Sequence, residues 1–494
     1  MNYIIPIGGT GVRVMKAIVY LAMAECFDKH EKFKVMCVDS DESNGDIKKL
    51  EEIMNTYHRL VGYDTFPEII SADVDKSVGK KLVWSPLSTD RVNATSSMAT
   101  MVGESLMSDK GKDIFRFLYT KEEREKVLEG GFYGHTSIGS YFMSQQIKDG
   151  DDYTTTWKNF FDGINATRDK IFIIGSVFGG TGASGVPTIA RIIKETEITK
   201  DVPIGAILVQ PYFKPVVKTE EEVNDLTIDW NTFTTKTKTA LSYYTSQGYD
   251  EIFKIMYFIG EDDDEKFMVV DNNDCGNKQV NKANIIELFS ATALLDFIKS
   301  DLEDISFTAK FTMKEVKPDG IHTIITPNLL NVHKLNVFSN LKTFFKFSVL
   351  FTRYYYYLIM KNEMDKGFEY SDIQPSDADK MREACVSFIT WIREMLVNTD
   401  SDGNIDYTKD NENINWLRSD LIELYTYGPL KTKPSGFGPF KSEKIIYSQL
   451  DDMSKMLKNS ENELKGEEII DRLVDWSGKG GLKEFLEDFK KICI

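Results

Sequence analysis

With 494 residues, 41% of them hydrophobic and 28% charged, the chain can bury sizeable cores in two or three domains. A net charge of −17 and a pI near 5.0 argue against the phosphate-tracking basic surface of a nucleic-acid binder and against a face for anionic membranes. Five cysteines (Cys26, Cys37, Cys275, Cys385, Cys493) without a CxxC pair, and isolated histidines, argue against a disulfide framework and a zinc site, so reduced cytoplasmic thiols are expected.

The chain opens on an apolar run, residues 2–7 (NYIIPI), with no basic leader, and Met1 reads as the mature start. Gly8, Gly9, Thr10 and Gly11 follow, then an apolar-rich segment, 12–23, so the order is strand, glycine turn, helix. Alone this hints at a nucleotide, because the GxGxxG spacing of dinucleotide folds is not met. Residues 33–38 (FKVMCV) predict a second strand ending in Asp39, Ser40 and Asp41, where a doubly wound sheet places ligand groups. A plain polar turn is an equal alternative there. Residues 46–120 read as an insertion, with helical pieces at 47–60 and 105–119. A third glycine-rich turn, 130–139 (GGFYGHTSIG), precedes an amphipathic stretch, 140–148.

The most informative stretch follows a buried-strand pattern, 170–177 (KIFIIGSV). It reads FGGTGASG, residues 178–185, and leads into a helix expected over 186–195 with Pro187 in its first turn. Glycines let successive amides turn toward an anion, Thr181 and Ser184 add hydroxyls, and a helix start contributes the positive end of its dipole. No lysine follows, so this is not a Walker loop. Val186 stands where GxSxG would need its last glycine, so a nucleophile elbow is disfavoured.

Residues 203–210 (PIGAILVQ) predict another strand, running into Pro211, Tyr212 and Phe213. A polar helix is expected over 230–247, and a strand over 251–260 that ends at Glu261. Residues 284–297 (NIIELFSATALLDF) are apolar around nearly the whole circumference, which marks a buried central helix opened by Asn284. Glu287 within it has two readings: a structurally satisfied acid, which the residues alone favour, or a carboxylate facing two adjacent N–H groups of a ligand. Strand-like alternation covers 307–325, and one or two helices are expected over 329–360. The aromatic run 343–360 carries Lys346 and Arg353 and falls short of the roughly 20 apolar residues of a membrane span, so it reads as a buried or interface helix. Residues 365–379, 398–413 and 428–440 are candidate linkers.

Taken together, these motifs resemble the tubulin and FtsZ superfamily, in its divergent prokaryotic branch. FGGTGASG is similar to the family's GGGTGSG with Phe178 for the first glycine. GGFYGHTSIG resembles GAGxNPxxG, IGGTGVRV the first phosphate loop, VDSD the VNTD turn, LVQPYF the VTKPF turn, and IIELFSA the LLDAFGA opening of the central helix. The resemblance implies a mostly parallel, Rossmann-like α/β sheet over 1–282, a central helix over 283–300, and a divergent, largely helical C-terminal region over 301–494. It implies GTP or GDP, with Mg²⁺, on Gly8, Gly9, Thr10, Gly11, Gly134, Gly179, Gly180, Thr181, Gly182, Ala183, Ser184 and Gly185, beside Asp39. The base would be read at Arg13, Glu261, Asn284 and Glu287. Arg13 and Glu261 stand where the family carries asparagines.

In that family an acidic loop after the central helix completes hydrolysis in the neighbouring subunit. No NxDxxD follows here, only Asp301, Glu303 and Asp304, with Asp319 later, so the catalytic residues stay unassigned and any GTPase is expected to be slow. The implied protein is a cytoplasmic, head-to-tail homopolymer with no nucleic-acid partner and no membrane span. The alternative is a non-hydrolysing scaffold or switch recruiting a protein partner through its C-terminal helices. A Rossmann-type dehydrogenase is disfavoured by the number of glycine turns and the missing GxGxxG.

Overall fold

The computed structural model describes residues 1–61, 66–71, 82–87, 97–128, 132, 136–215, 230–246, 248–260, 268–270, 281–303, 305–311, 314–316, 322–324, 337–352 and 375–396. Seven strands form one sheet: β1 (Asn2–Pro6), β2 (Lys32–Val35), β3 (Glu68–Ser71), β4 (Lys170–Ser176), β5 (Ile204–Val209), β6 (Ile255–Ile259) and β7 (Thr308–Phe311). Every neighbouring pair is parallel, and the spatial order is β3-β2-β1-β4-β5-β6-β7. Ile4 lies opposite Phe172 on one side of β1 and opposite Val35 on the other. Parallel sheets are covered on both faces, so their central strands are near-continuous apolar runs, and β1 and β5 are buried at every position.

The order reverses between β1 and β4. From β1 the chain builds outward one way, and from β4 it builds outward the other way. This is the switch point of a doubly wound α/β sheet, beyond whose carboxyl ends a crevice opens. Helices α1 (Gly8–Met23) and α4 (Gly180–Glu195) leave the two strands at this place. Both start on their glycines, earlier than the expected 12 and 186. Packing against the sheet overrides glycine's low helix propensity, and Pro187 consequently lies inside α4.

Other expectations shift as well. Residues 46–120 supply more than an insertion: most of α2 (Gly45–Val61) and the edge strand β3 come from them. The start of 251–260 is a short helix, Tyr249–Ile252, and β6 begins only at Ile255. Helix α3 (Thr136–Ile147) packs on α4, α5 spans Trp230–Ser246, and the apolar central helix α6 (Ile285–Lys299) covers β5 and β6. Asn284 caps α6 by accepting from the Ile286 amide, while Glu287 reaches back to the Asn284 amide. At the other end Lys170 Nζ donates to the carbonyls of Phe297, Ile298 and Ser300, which closes the helix terminus. β7 then joins the main sheet, and Lys314–Val316 pairs antiparallel with His322–Ile324.

The chain divides into two compact units. The first comprises Met1–Val19, His30–Glu52 and Pro67–Lys334, so Thr308–Phe311, beyond the expected boundary at 301, belongs with the sheet; the second comprises Tyr20–Lys29, Ile53–Phe66 and Leu335–Ile494. In the second, α7 (Val337–Leu350) packs on α8 (Pro375–Leu396), which takes up the end of the candidate linker 365–379. Phe344 meets Phe388 edge-on at 4.7 Å between ring centroids, and Tyr20 stacks on Trp391 at 4.7 Å. Phe344, Phe345, Phe347 and Phe351 are buried, so this part of the aromatic run is core; 353–360, 398–413 and 428–440 lie outside the described residues. Among the described residues no helix is long and apolar enough to cross a membrane.

Candidate functional site

Two glycine-started helices meet at the switch point. Gly8 has φ +70°, a left-handed conformation that side chains rarely adopt, and a Cβ there would lie 3.3 Å from the Gly182 amide nitrogen and 3.4 Å from Thr181 Cβ. Gly182 is tighter still, since a Cβ would sit 2.8 Å from the Ser176 nitrogen and 2.9 Å from its carbonyl oxygen. A side chain is thus excluded at Gly8, where the two helix starts touch, and at Gly182, where α4 rests on the end of β4. Neither first turn carries an acid, and the leading amides of each helix have no carbonyl partner within it. Around Gly8–Thr10 and Gly179–Gly182 this concentrates N–H groups and two positive dipole ends, a setting that favours an oxyanion.

The second half of the FGGTGASG stretch does something else. The Ala183 amide already bonds to the Gly179 carbonyl, and Ser184 and Gly185 lie deeper in the same helix. Ser184 is buried and turns its hydroxyl back onto the Gly180 carbonyl at 2.6 Å. Gly139, from the third glycine-rich stretch, sits inside α3, where a Cβ would collide with the Ser184 side chain. Its role is close helix packing. Gly134 and Glu261 lie outside the described residues.

Thr181 marks one wall. Its hydroxyl is 3.0 Å from Ser40 Oγ and 3.5 Å from Asp39 Oδ1. A parallel bridge between Ile7 and Val38 brings this Asp39–Ser40 turn beside Gly8. Asp39 is buried and accepts from the Asp41 amide at 3.3 Å. Burial pushes its carboxyl up to about 7, an effect that the Asp41 and Thr181 hydrogen bonds oppose and the Asp41 charge reinforces. A neutral Asp39 carries a proton to donate, and an ionised one adds a carboxylate oxygen for a cation.

One turn along α1 lies a closed polar cluster. Arg13 Nε donates to Glu287 Oε1 at 2.8 Å, Nη1 to Asp46 Oδ2 at 3.3 Å, and Nη2 to Thr10 Oγ1 and the Tyr212 hydroxyl. Tyr212 in turn donates to Glu287 Oε1 at 3.2 Å, and Asn281 donates twice to Asp46. Burial alone would lower the Arg13 guanidinium, but Tyr212, Glu287 and Asp46 hold it well above its ordinary value. Burial raises the Glu287 carboxyl, while Arg13 and Lys16 pull the other way. Arg13, Asn284 and Glu287 thus lie together, joined by Tyr212 of the LVQPYF turn and by Asp46, which no sequence pattern singles out.

The two halves answer differently to a guanine nucleotide. The glycine starts, whose leading amides have no intrahelical partner, fit a polyphosphate. Glu287 does not fit a guanine edge as it stands: Oε1 takes Arg13 and Tyr212, Oε2 takes the Asn284 amide at 3.3 Å, and the residue is 1% exposed. No cluster of three or more His, Cys, Asp or Glu suited to a metal occurs among the described residues. No protein-family model matches the chain, and no curated protein matches it.

Proposed function

We propose that this chain binds a nucleoside triphosphate across the β1–β4 switch point and works as a tubulin-like protein, GTP being the nucleotide its motifs imply. One observation carries the reading: two glycine-started helices from the two switch-point strands touch at Gly8 and Gly182, with the Thr181 hydroxyl and the Asp39 carboxyl beside them. The amides of Gly8–Thr10 and Gly179–Gly182 would hold the phosphates, and Thr181 would add a hydroxyl. Mg²⁺ would offset the phosphate charge near Asp39, bound mainly through phosphate and water. Head-to-tail assembly with the nucleotide between subunits follows from the resemblance, as does weakening of that contact once the γ-phosphate is lost.

A second reading, nucleotide binding without appreciable turnover, is favoured by the segment after α6. Lys170 fastens the helix end, Asp301 accepts from the Glu303 amide within its own turn, and the chain then enters β7. An acid so engaged is a poor candidate for orienting water in a neighbouring subunit. Sedimentation and negative-stain imaging with GTP or a non-hydrolysable analogue, run beside phosphate release, test both readings. Filaments with slow phosphate release are expected. Filaments with none favour the scaffold, and a protein that binds no triphosphate in a calorimeter overturns the proposal.

A further inference from the structure

Arg13 lies three residues beyond Thr10, so the phosphate turn and the buried cluster share one helix face. A carboxylate selects guanine by accepting from two adjacent N–H groups, which requires both of its oxygens. Each acid held by Arg13 has one oxygen with both acceptor sites taken and the other with one. Glu287 Oε1 accepts from Arg13 and Tyr212 and Oε2 from the Asn284 amide, while Asp46 Oδ2 accepts from Arg13 and Asn281 Nδ2 and Oδ1 from the Asn281 amide. Freeing Glu287 would take from the buried Arg13 the nearer of its two carboxylates, leaving Asp46 at 3.3 Å, and undo the cap of α6 at once, and removing one partner of a buried ion pair is strongly unfavourable. Adenine asks for no such carboxylate.

We infer that Arg13 removes base selection from this site, which takes nucleoside triphosphates by their phosphate chain with little discrimination between guanine and adenine. The inference rests on the phosphate half of the function proposed above and departs from the guanine preference implied by the resemblance. Arg13 is thus a specificity-determining residue that acts by occupying the acid.

Calorimetry on the full chain with Mg²⁺, using GTP, ATP and inorganic tripolyphosphate, tests it. The wild type is expected to bind GTP and ATP within about threefold of each other, and Arg13→Asn, which leaves Glu287 Oε1 with only Tyr212, to shift the ratio at least about fivefold toward GTP. A wild type that prefers GTP about tenfold or more overturns the inference and leaves the phosphate reading intact. An Arg13→Asn protein that folds and binds both nucleotides alike overturns the role of Arg13. If neither triphosphate binds, the phosphate reading falls and this inference falls with it. Should the variant fail to fold, the wild-type ratio decides alone.

Discussion

Asp39 combines two conditions rarely met together, full burial and a place beside two helix starts that attract negative charge. Its carboxyl titrates near 7 in the folded protein, against an ordinary 3.8, because burial penalises the charged form. Between those values the folded chain holds a proton that the unfolded chain has lost, so stability falls as pH rises through the window and levels off above it. Asp39→Asn removes the titration. Urea unfolding at pH 5 and pH 8 is expected to show the variant gaining about 2 kcal/mol on the wild type over that interval. A difference independent of pH would place the proton elsewhere. Position 39 was readable as a strand end in a ligand-facing place, but its charge state was not, since groups that bond to it, the Trp84 carbonyl and the Thr181 hydroxyl, come from far off in the chain. The same holds for Arg13: Glu287 is 274 positions away and Tyr212 is 199, and no local spacing records such partners.

At the level of elements, the glycine stretches were visible as punctuation, and their uses diverge with the helices that carry them. Gly8 keeps a contact between helix starts free of a side chain and Gly182 lets α4 sit on Ser176 at the end of β4, whereas Gly139 lets α3 approach α4 at Ser184. A methyl group at 139 would also come within 2.9 Å of Phe132. Gly139→Ala is therefore expected to cost about 2 kcal/mol by overpacking. Adding Ser184→Gly, which deletes the opposing hydroxymethyl, should return about 1 kcal/mol of it, as contacting pairs couple. Paired unfolding curves check this, and additive losses would mean the two helices do not meet there. Helix starts were misplaced by a turn or more because glycine reads locally as a break, while the sheet beneath supplies the burial that makes it helical.

For the whole molecule, the α/β class and the central strands were legible because parallel strands covered on both faces leave continuous apolar runs. The edge strand β3 was not. Its four residues, EIIS, bury only Ile69, so nothing distinguishes them from a loop until β2 lies alongside. The division at 334 was equally hidden, since β7 earns its place by pairing with β6 and by no feature of its own composition.

The interior position of β1 has a consequence during synthesis. One neighbour, β2, emerges soon after it, but the other, β4, begins only at residue 170. At roughly 5–20 residues per second, the ribosome leaves that flank without its partner for on the order of ten seconds or more. Ribosome-tethered chains ending near residue 165 should then be cut rapidly by protease within their first forty residues, and chains extended past β5 and clear of the exit tunnel should resist. Chaperone contact early in translation is the expected companion of a fold that writes an interior strand first.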